Sequence, residues 1–272
     1  MTHISCDDKA DAVRSLARIY RVDVGEVARV ADGNWPTFIL ESTDSCNDLF
    51  KSPYIPLLMA QHLSARPDWE FGEVAYYHRT AYDGSADWFE DGLLASHEGA
   101  KAFLNKIAGI VSLDGDDHAI AMANIRDREC CEGPGAGGPY AFDVFDNARY
   151  ADQAGMDYSL PEFFAGNAWA GKYGVCYAAP ILELLRGKLK PVVVKFSGKP
   201  NDPDAYITNL WHYVFRAWKG EPMSPISHFT PTFRGDAKPV SADRIIQIID
   251  LGGLAVDPTS EFSQQISKSL KS

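Results

Sequence analysis

The sequence predicts a mixed α/β (α+β) fold, because helical and strand-like patterns follow one another along its 272 residues. Four apolar residues near the N-terminus recur at i, i+3, i+4 and i+7, the spacing of one helix face: Val13, Leu16, Ala17 and Tyr20. Two later runs, 192–196 and 244–249, are rich in valine and isoleucine and bounded by proline, glycine or aspartate, which is typical of buried strands. A hydrophobic content of 46% is enough to bury a sizeable core.

The first third of the chain is predicted to be helical. Residues 11–31 have the pattern of two short helices, the second capped by Asp23 with Glu26 three positions later. Between 34 and 68, prolines surround one apolar run from Ile55 to Leu63, which indicates a linker containing a single helix. We therefore predict a helical N-terminal appendage and linker over 1–69 and a catalytic-type domain over 70–272. Helices near 99–110, 144–152 and 177–187 complete the second region.

Composition narrows the class of protein. No run approaches the 18 or so apolar residues that a membrane helix needs, and the N-terminus is charged where a signal peptide would be apolar. We expect a cytoplasmic protein, or one exported by a non-classical system. The five cysteines form no Cys-x-x-Cys pair, so reduced thiols are expected. The net charge of −11 opposes broad contact with a nucleic-acid backbone.

One motif points to a ligand site. Tyr76-Tyr77-His78-Arg79-Thr80 is a β-prone run ending on His-x-Thr, and Gly92-Leu93-Leu94 follows a short amphipathic segment. This pattern predicts a strand, a loop, a helix and a helix end at glycine. A histidine on such a strand, followed by a hydroxyl side chain, can hydrogen-bond the hydroxyl groups of a ligand.

A second motif lies downstream: Gly138-Pro139-Tyr140-Ala141-Phe142, then Asn147-Ala148-Arg149-Tyr150. Tyr140 on a predicted strand and Tyr150 on the following helix have rings that can enclose a flat ligand ring, although aromatic residues fill cores far more often than they hold cofactors. Together the two motifs resemble those of the diphtheria-toxin-like and poly(ADP-ribose)-polymerase-like ADP-ribosyltransferases. The resemblance covers roughly residues 74–252 and departs from the family pattern at Arg79, where glycine is common.

The resemblance implies two small sheets packed around an NAD cleft, and transfer of ADP-ribose from NAD, as substrate, to a macromolecular acceptor, protein or nucleic acid. It assigns His78, Arg79, Thr80, Tyr140 and Tyr150 to NAD binding, with His78 and Tyr140 also in the catalytic set. It calls for no metal. Bacterial members are often toxins, effectors or defence proteins, which implies a cognate inhibitor or immunity protein as a further partner.

The third element of the family, a glutamate that stabilises the cationic sugar, has no unambiguous equivalent. Glu221 is the candidate by elimination, since it is the only glutamate between the two valine- and isoleucine-rich runs. Ser227, His228 and Phe229 are alternatives, which would place the chain with branches that lack the glutamate.

Two other classes stay open. Cys176 at an apparent helix start, His212 on a predicted strand and Asp250 occur in the order of a papain-like cysteine hydrolase. A catalytically silent interaction module is the other.

The run 133–138 satisfies Gly-x-Gly-x-x-Gly but lacks the preceding strand and following helix of a dinucleotide-binding turn, and we interpret it as a loop. The acidic run 114–118 is interpreted as a solvated turn, because it lacks the loop length and terminal glutamate of a calcium hand.

Overall fold

The protein has a mixed α/β architecture, with helices on small antiparallel sheets. The computed structural model describes residues 3–42, 46–131, 137–154, 179–185, 187–221 and 233–252. The helices within these ranges are α1 (Lys9–Tyr20), α2 (Val24–Ala31), α3 (Thr37–Leu40), α4 (Cys46–Leu49), α5 (Ile55–Leu63), α6 (Ser96–Ile107), α7 (Gly115–Cys131), α8 (Phe145–Arg149), α9 (Ala179–Leu185) and α10 (Pro203–Lys219). Short 3-10 turns span Ala86–Phe89, Ala151–Ala154 and Ala242–Arg244.

Two sheets are present among the described residues. The larger one is antiparallel with strand order β1-β3-β5, where β1 is Val74–Tyr82, β3 is Lys190–Gly198 and β5 is Ile245–Asp250. The smaller one pairs β2 (Tyr140–Ala141) with β4 (Phe233–Arg234). The predicted α+β class is confirmed, while the arrangement specific to ADP-ribosyltransferases stays a prediction.

Register decides which side chains share a face of the larger sheet. His78 lies opposite Val194, which in turn lies opposite Ile248, so these three form one cross-strand row. Because side chains alternate along a strand, Thr80 joins the His78 face and Arg79 projects from the other.

A single core joins the two predicted regions. Apolar side chains from the N-terminal helices, from β1 and β3 and from α10 belong to one buried cluster, which includes Leu16, Tyr20, Tyr76, Phe196 and Trp211. Trp211 on α10 donates its indole N–H to the Tyr20 hydroxyl on α1 at 3.1 Å. Side chains from both sides of residue 69 therefore pack in one buried cluster.

Most predicted elements are present. The two N-terminal helices are α1 and α2, the helix predicted over Ile55–Leu63 is α5 with the same bounds, and the two predicted strands are β3 and β5. Strand β3 is buried as expected, but the expected burial of β5 was wrong, since its residues are exposed or only partly buried.

Two interpretations were wrong. Residues 211–214 lie within α10 and form no strand, because Ile207, Leu210, Trp211 and Val214 follow helical spacing and are all fully buried. The acidic run is the start of α7: the Asp114 carboxylate accepts from the N–H groups of Asp116 and Asp117 at 3.0 and 2.8 Å, as a helix cap does.

Candidate functional site

The two sequence motifs meet at His78. Its ring nitrogen Nδ1 lies 2.7 Å from the backbone carbonyl oxygen of Tyr140, a residue 62 positions away. A carbonyl only accepts, so Nδ1 carries the proton and donates it. The other nitrogen, Nε2, then carries the acceptor lone pair of a neutral ring. Burial, together with the nearby Arg79 charge, lowers the pKa of His78 below its ordinary value despite the Tyr140 hydrogen bond, which favours that neutral form.

Backbone pairing between the motifs produces this contact. Tyr77 and Phe142 form an antiparallel bridge, with N–H to carbonyl distances of 2.9 and 3.0 Å. The chain from Phe142 back to Tyr140 then continues into the β2–β4 pair, where Tyr140 lies opposite Arg234. The Tyr140 carbonyl is consequently held at the edge of β1 beside the His78 ring.

Gly92 is required by its surroundings. Its φ of +78° is in the left-handed region, and a Cβ at this position would lie 2.0 Å from the Val240 carbonyl oxygen. The next residue, Leu93, exchanges two backbone hydrogen bonds of 2.8 Å with Val240. Glycine thus allows the segment after the Ala86–Phe89 turn to pair closely with the chain that leads into β5.

The predicted ligand contacts divide between the two faces of the larger sheet. Thr80, partly buried, shares the His78 face. Arg79 is buried on the opposite face, where it donates to the carbonyls of Thr80 and Val192 at 2.9 and 3.3 Å and to the Asp152 carboxylate at 2.5 Å. Arg79 therefore stabilises the end of β1 through these hydrogen bonds, and its side chain lies on the opposite face of the sheet from His78. The two-residue alternation of a strand is the sequence signal that could have shown this.

The two tyrosines are placed differently. Tyr140 is half-buried next to His78 through its backbone. Tyr150 directly follows α8, a helix that packs against β1 by its Phe145 ring, 5.8 Å from the Tyr77 ring on the Arg79 side of the sheet. The Arg149 guanidinium lies 4.9 Å from the centre of the Tyr150 ring. The described contacts link Tyr140, and not Tyr150, to His78.

Glu221 lies just beyond the C-terminus of α10 and is exposed. Its N–H donates to the Arg216 carbonyl at 3.0 Å, and its carboxylate is 4.0 Å from the Arg216 guanidinium. None of the contacts found among the described residues joins it to His78 or Tyr140. Ser227, His228 and Phe229 lie outside the described residues, so the third element stays a prediction.

Two of the three hydrolase candidates, His212 and Asp250, lie in the part of the chain that the structure describes. His212 is buried in α10, and its ring stacks on that of Phe50 with centroids 4.8 Å apart. Asp250, on β5, accepts from the Tyr82 hydroxyl at 3.3 Å and from the Gly252 N–H at 2.7 Å. Cys176 lies outside the described residues, as do Gly133 to Ala136 of the glycine-rich run.

One polar network was not found by sequence reasoning. The buried Lys195 ammonium contacts both carboxylate oxygens of Asp7, at 2.7 and 2.6 Å. Asp7 also accepts from the Tyr77 hydroxyl at 2.7 Å, and that hydroxyl accepts from the Cys6 N–H at 3.1 Å. A lysine inside the otherwise apolar run 192–196 was the available signal, since buried lysines are normally paired. The network ties the N-terminal segment to the Arg79 face of the sheet.

Among the described residues, no group of three or more His, Cys, Asp or Glu side chains is arranged to hold a metal ion. Nor do those residues include a helix of the length and apolarity needed to span a membrane.

Comparison with known protein families, with curated protein sequences and with solved structures gives no match. The geometry around His78 and the motif resemblance are therefore the features of this chain that bear on its function.

Proposed function

We propose that the protein is an NAD-dependent ADP-ribosyltransferase that modifies a macromolecular acceptor. The observation that carries the proposal is the 2.7 Å hydrogen bond from His78 Nδ1 to the Tyr140 carbonyl. The His-x-Thr and Gly-x-Tyr motifs were recognised separately in sequence, and a shared ligand site requires them to be adjacent. Their direct contact is the arrangement that such a site needs.

The tautomer of His78 suits a ribose. With Nδ1–H committed to Tyr140, Nε2 is available as an acceptor, and no hydrogen bond from the described residues reaches it. A ribose hydroxyl is a donor of the right kind for this lone pair. Thr80, two residues on and on the same face, adds a hydroxyl that can both donate and accept. Tyr140 would stack on the nicotinamide ring.

The reaction exchanges one bond at the ribose carbon. The bond to nicotinamide breaks and its electron pair leaves with nicotinamide, while a nucleophilic atom of the acceptor forms the new bond and loses its proton. The sugar is cationic in the transition state, so a nearby carboxylate would stabilise it more than the ground state. Glu221 stays the candidate for that role.

An assay with labelled NAD distinguishes transfer to protein, RNA or DNA from binding without transfer. The purified protein is incubated with NAD labelled in the adenosine part and whole-cell extract, and label is followed in the protein, RNA and DNA fractions. Transfer to one fraction identifies the acceptor class. Binding of NAD without transfer or nicotinamide release would indicate the silent module instead.

His78→Ala is the decisive variant. It removes the acceptor nitrogen, which in a partly buried polar site costs about 1–3 kcal/mol, or roughly 5- to 150-fold in NAD affinity. The control is His118→Ala, which removes an exposed histidine on α7. Calorimetry showing equal NAD binding by wild type and His78→Ala would overturn the assignment.

A toxin, effector or defence role is proposed from the resemblance alone. Induced expression in a bacterial host tests it: growth arrest by the wild type, relieved by His78→Ala and by a co-expressed inhibitor, is the expected result. Arrest that persists in the inactive variant would separate toxicity from the transferase activity.

A further inference from the structure

Arg234 lies directly opposite Tyr140 in the smaller sheet. The Gly235 N–H donates to the Pro139 carbonyl at 2.9 Å, which makes these flanking residues a hydrogen-bonded pair. Since hydrogen-bonded and non-hydrogen-bonded pairs alternate along an antiparallel ladder, Tyr140 and Arg234 form a non-hydrogen-bonded pair. The backbone groups of such a pair point away from the partner strand, as the Tyr140 carbonyl does towards His78. The two side chains start from one face, at the closest spacing that a ladder allows.

This pair occupies the outward face of the smaller sheet. Phe233, on the other face, is buried, and its ring lies 4.8 Å from the ring of Tyr76 on β1. Because side chains alternate along β4, Arg234 projects away from that packing and is exposed. An exposed guanidinium group therefore belongs to the residue beside the half-buried Tyr140, which in turn contacts His78.

Among the described residues, the Arg234 guanidinium has neither an ion-pair nor a hydrogen-bond partner, although the backbone carbonyl of Arg234 accepts from the Asn201 side chain at 3.2 Å. By contrast, the guanidinium groups of Arg21, Arg79 and Arg244 each pair with a carboxylate. The chain has a net charge of −11. An arginine that lies beside a candidate ligand site and pairs with none of the described carboxylates is suited to bind an anion.

The turn after Arg234 fixes its backbone against the site. Asp236 and Ala237 have φ values of +52° and +59°, a left-handed conformation that residues with a Cβ keep only where the surroundings hold them. The Ala237 N–H donates to the Gly137 carbonyl at 2.7 Å. The chain after β4 is thereby held on the segment that leads into Tyr140, so the position of Arg234 beside that residue is set by the fold.

We propose that Arg234 binds the pyrophosphate group of NAD, an inference that rests on the proposed function. In NAD the pyrophosphate is attached to the ribose that carries nicotinamide. With that ribose on His78 and the nicotinamide ring on Tyr140, the pyrophosphate is the next group along the molecule, within the length of an arginine side chain that starts beside Tyr140. The planar guanidinium donates paired hydrogen bonds to phosphate oxygens, and its exposure leaves it accessible to the ligand.

Two ligands of the full-length protein separate the phosphate contact from the rest of the site: NAD, and nicotinamide riboside, which has the same nicotinamide and ribose but no phosphate. Calorimetry should show that Arg234→Gln weakens NAD binding about tenfold and leaves the affinity for nicotinamide riboside unchanged, since only NAD offers the charged acceptor. Arg234→Lys keeps the charge but loses the paired donors, so its NAD affinity should lie between those of the wild type and Arg234→Gln. Raising the salt concentration should weaken NAD binding by the wild type more than by Arg234→Gln. Arg66→Gln, which removes an exposed arginine between α5 and β1, is the matched control and should bind NAD as the wild type does.

The outcomes distinguish a wrong assignment of Arg234 from a wrong function. Equal NAD affinity of the wild type and Arg234→Gln overturns the assignment and leaves the NAD site at His78 in place. Equal weakening of both ligands by Arg234→Gln also overturns it, because the loss then concerns the part that the two ligands share. A wild type that binds neither ligand contradicts the proposed function itself and overturns this inference with it.

Discussion

At the residue scale, His78 combines a fixed tautomer with a lowered pKa. The Tyr140 carbonyl holds the proton on Nδ1, while burial and then the Arg79 charge disfavour a second proton on the ring. A neutral imidazole with a free acceptor nitrogen can bind a sugar hydroxyl over the pH range in which a free histidine would start to charge. The same property has a measurable consequence for folding.

The stability of the protein should depend on pH through His78. An unfolded histidine takes up a proton near pH 6.5, while the folded one has a lower pKa, so the unfolded state binds more protons below that pH. The contribution of His78 is present above the unfolded value and is lost as pH falls through it towards the folded value. Relative to His78→Gln, the wild type should therefore lose unfolding free energy between pH 7 and pH 5, by at most about 1.4 kcal/mol per pH unit.

Denaturant unfolding at several pH values measures this difference. His118→Gln, which replaces an exposed histidine on α7, serves as the control for loss of a histidine elsewhere. Parallel curves for wild type and His78→Gln would mean that the ring titrates alike in both states.

Glu221 provides a separate test of chemistry against binding. A carboxylate that acts mainly on the cationic transition state affects turnover more than affinity, so Glu221→Gln should keep NAD affinity and reduce transfer by at least about 100-fold. Glu183→Gln on α9 is the control for a general charge effect. Glu221 is exposed just after α10. Normal turnover by Glu221→Gln would assign the role to another residue or to a glutamate-free mechanism.

At the element scale, short segments pair with β1 and with the chain before β5. Leu93 and Val240 can pair because Gly92 has no Cβ, which would clash with the Val240 carbonyl oxygen. The Tyr77–Phe142 bridge similarly places the Tyr140 carbonyl beside His78. Both contacts join segments far apart in sequence.

Gly92→Ala should destabilise the protein by at least about 3 kcal/mol. The left-handed φ costs about 1–2 kcal/mol for alanine, and relief of the 2.0 Å contact would break the two Leu93–Val240 hydrogen bonds, each worth about 1 kcal/mol. Gly72→Ala is the matched control, because Gly72 has a φ of +84° with nothing within 4 Å of the added carbon. Thermal or denaturant unfolding measures both, and equal losses would show that the Val240 contact relaxes freely.

At the scale of the whole molecule, residues 1–69 behave as part of one structure with the rest. Helices α1, α2 and α5 pack against α10, and the Asp7–Lys195 ion pair ties the N-terminal segment to β3. Buried aromatic rings from both regions meet, such as Trp35 on Trp211 at 5.8 Å between centroids. An independent appendage would not share these contacts.

Residues 70–272 alone should accordingly fail to fold cooperatively. Removing the N-terminal helices exposes the apolar face of α10, including Leu210, Trp211 and Val214, which the full chain buries completely. The fragment should lack near-ultraviolet circular dichroism and a sharp thermal transition. The full-length variant Tyr54→Ser, which changes a 66% exposed residue, should retain both. A sharp transition in the fragment would show that the boundary at residue 69 separates true domains.

Local pattern determined much of this protein. The 3.6-residue spacing located α1, the Asp23 and Glu26 cap pattern located α2, and an apolar run among prolines located α5. Runs rich in valine and isoleucine located β3 and β5, and the His-x-Thr run located β1. The alternation of a strand also implied that Arg79 faces away from His78, although only the structure made that plain. The same helical spacing was present in α10, where the run of large aromatic residues was mistaken for a strand.

Tertiary structure alone decided which distant residues meet. The hydrogen bond from His78 to the Tyr140 carbonyl, the Asp7–Lys195 pair and the close approach of Gly92 to Val240 depend on strand register and on segments 62 to 188 residues apart. Sequence periodicity shows which side chains of a helix or strand are buried. It gives no information about which distant segment packs against them. That partner is selected by the packing of the whole core, which is why the elements were predictable and the site they build was not.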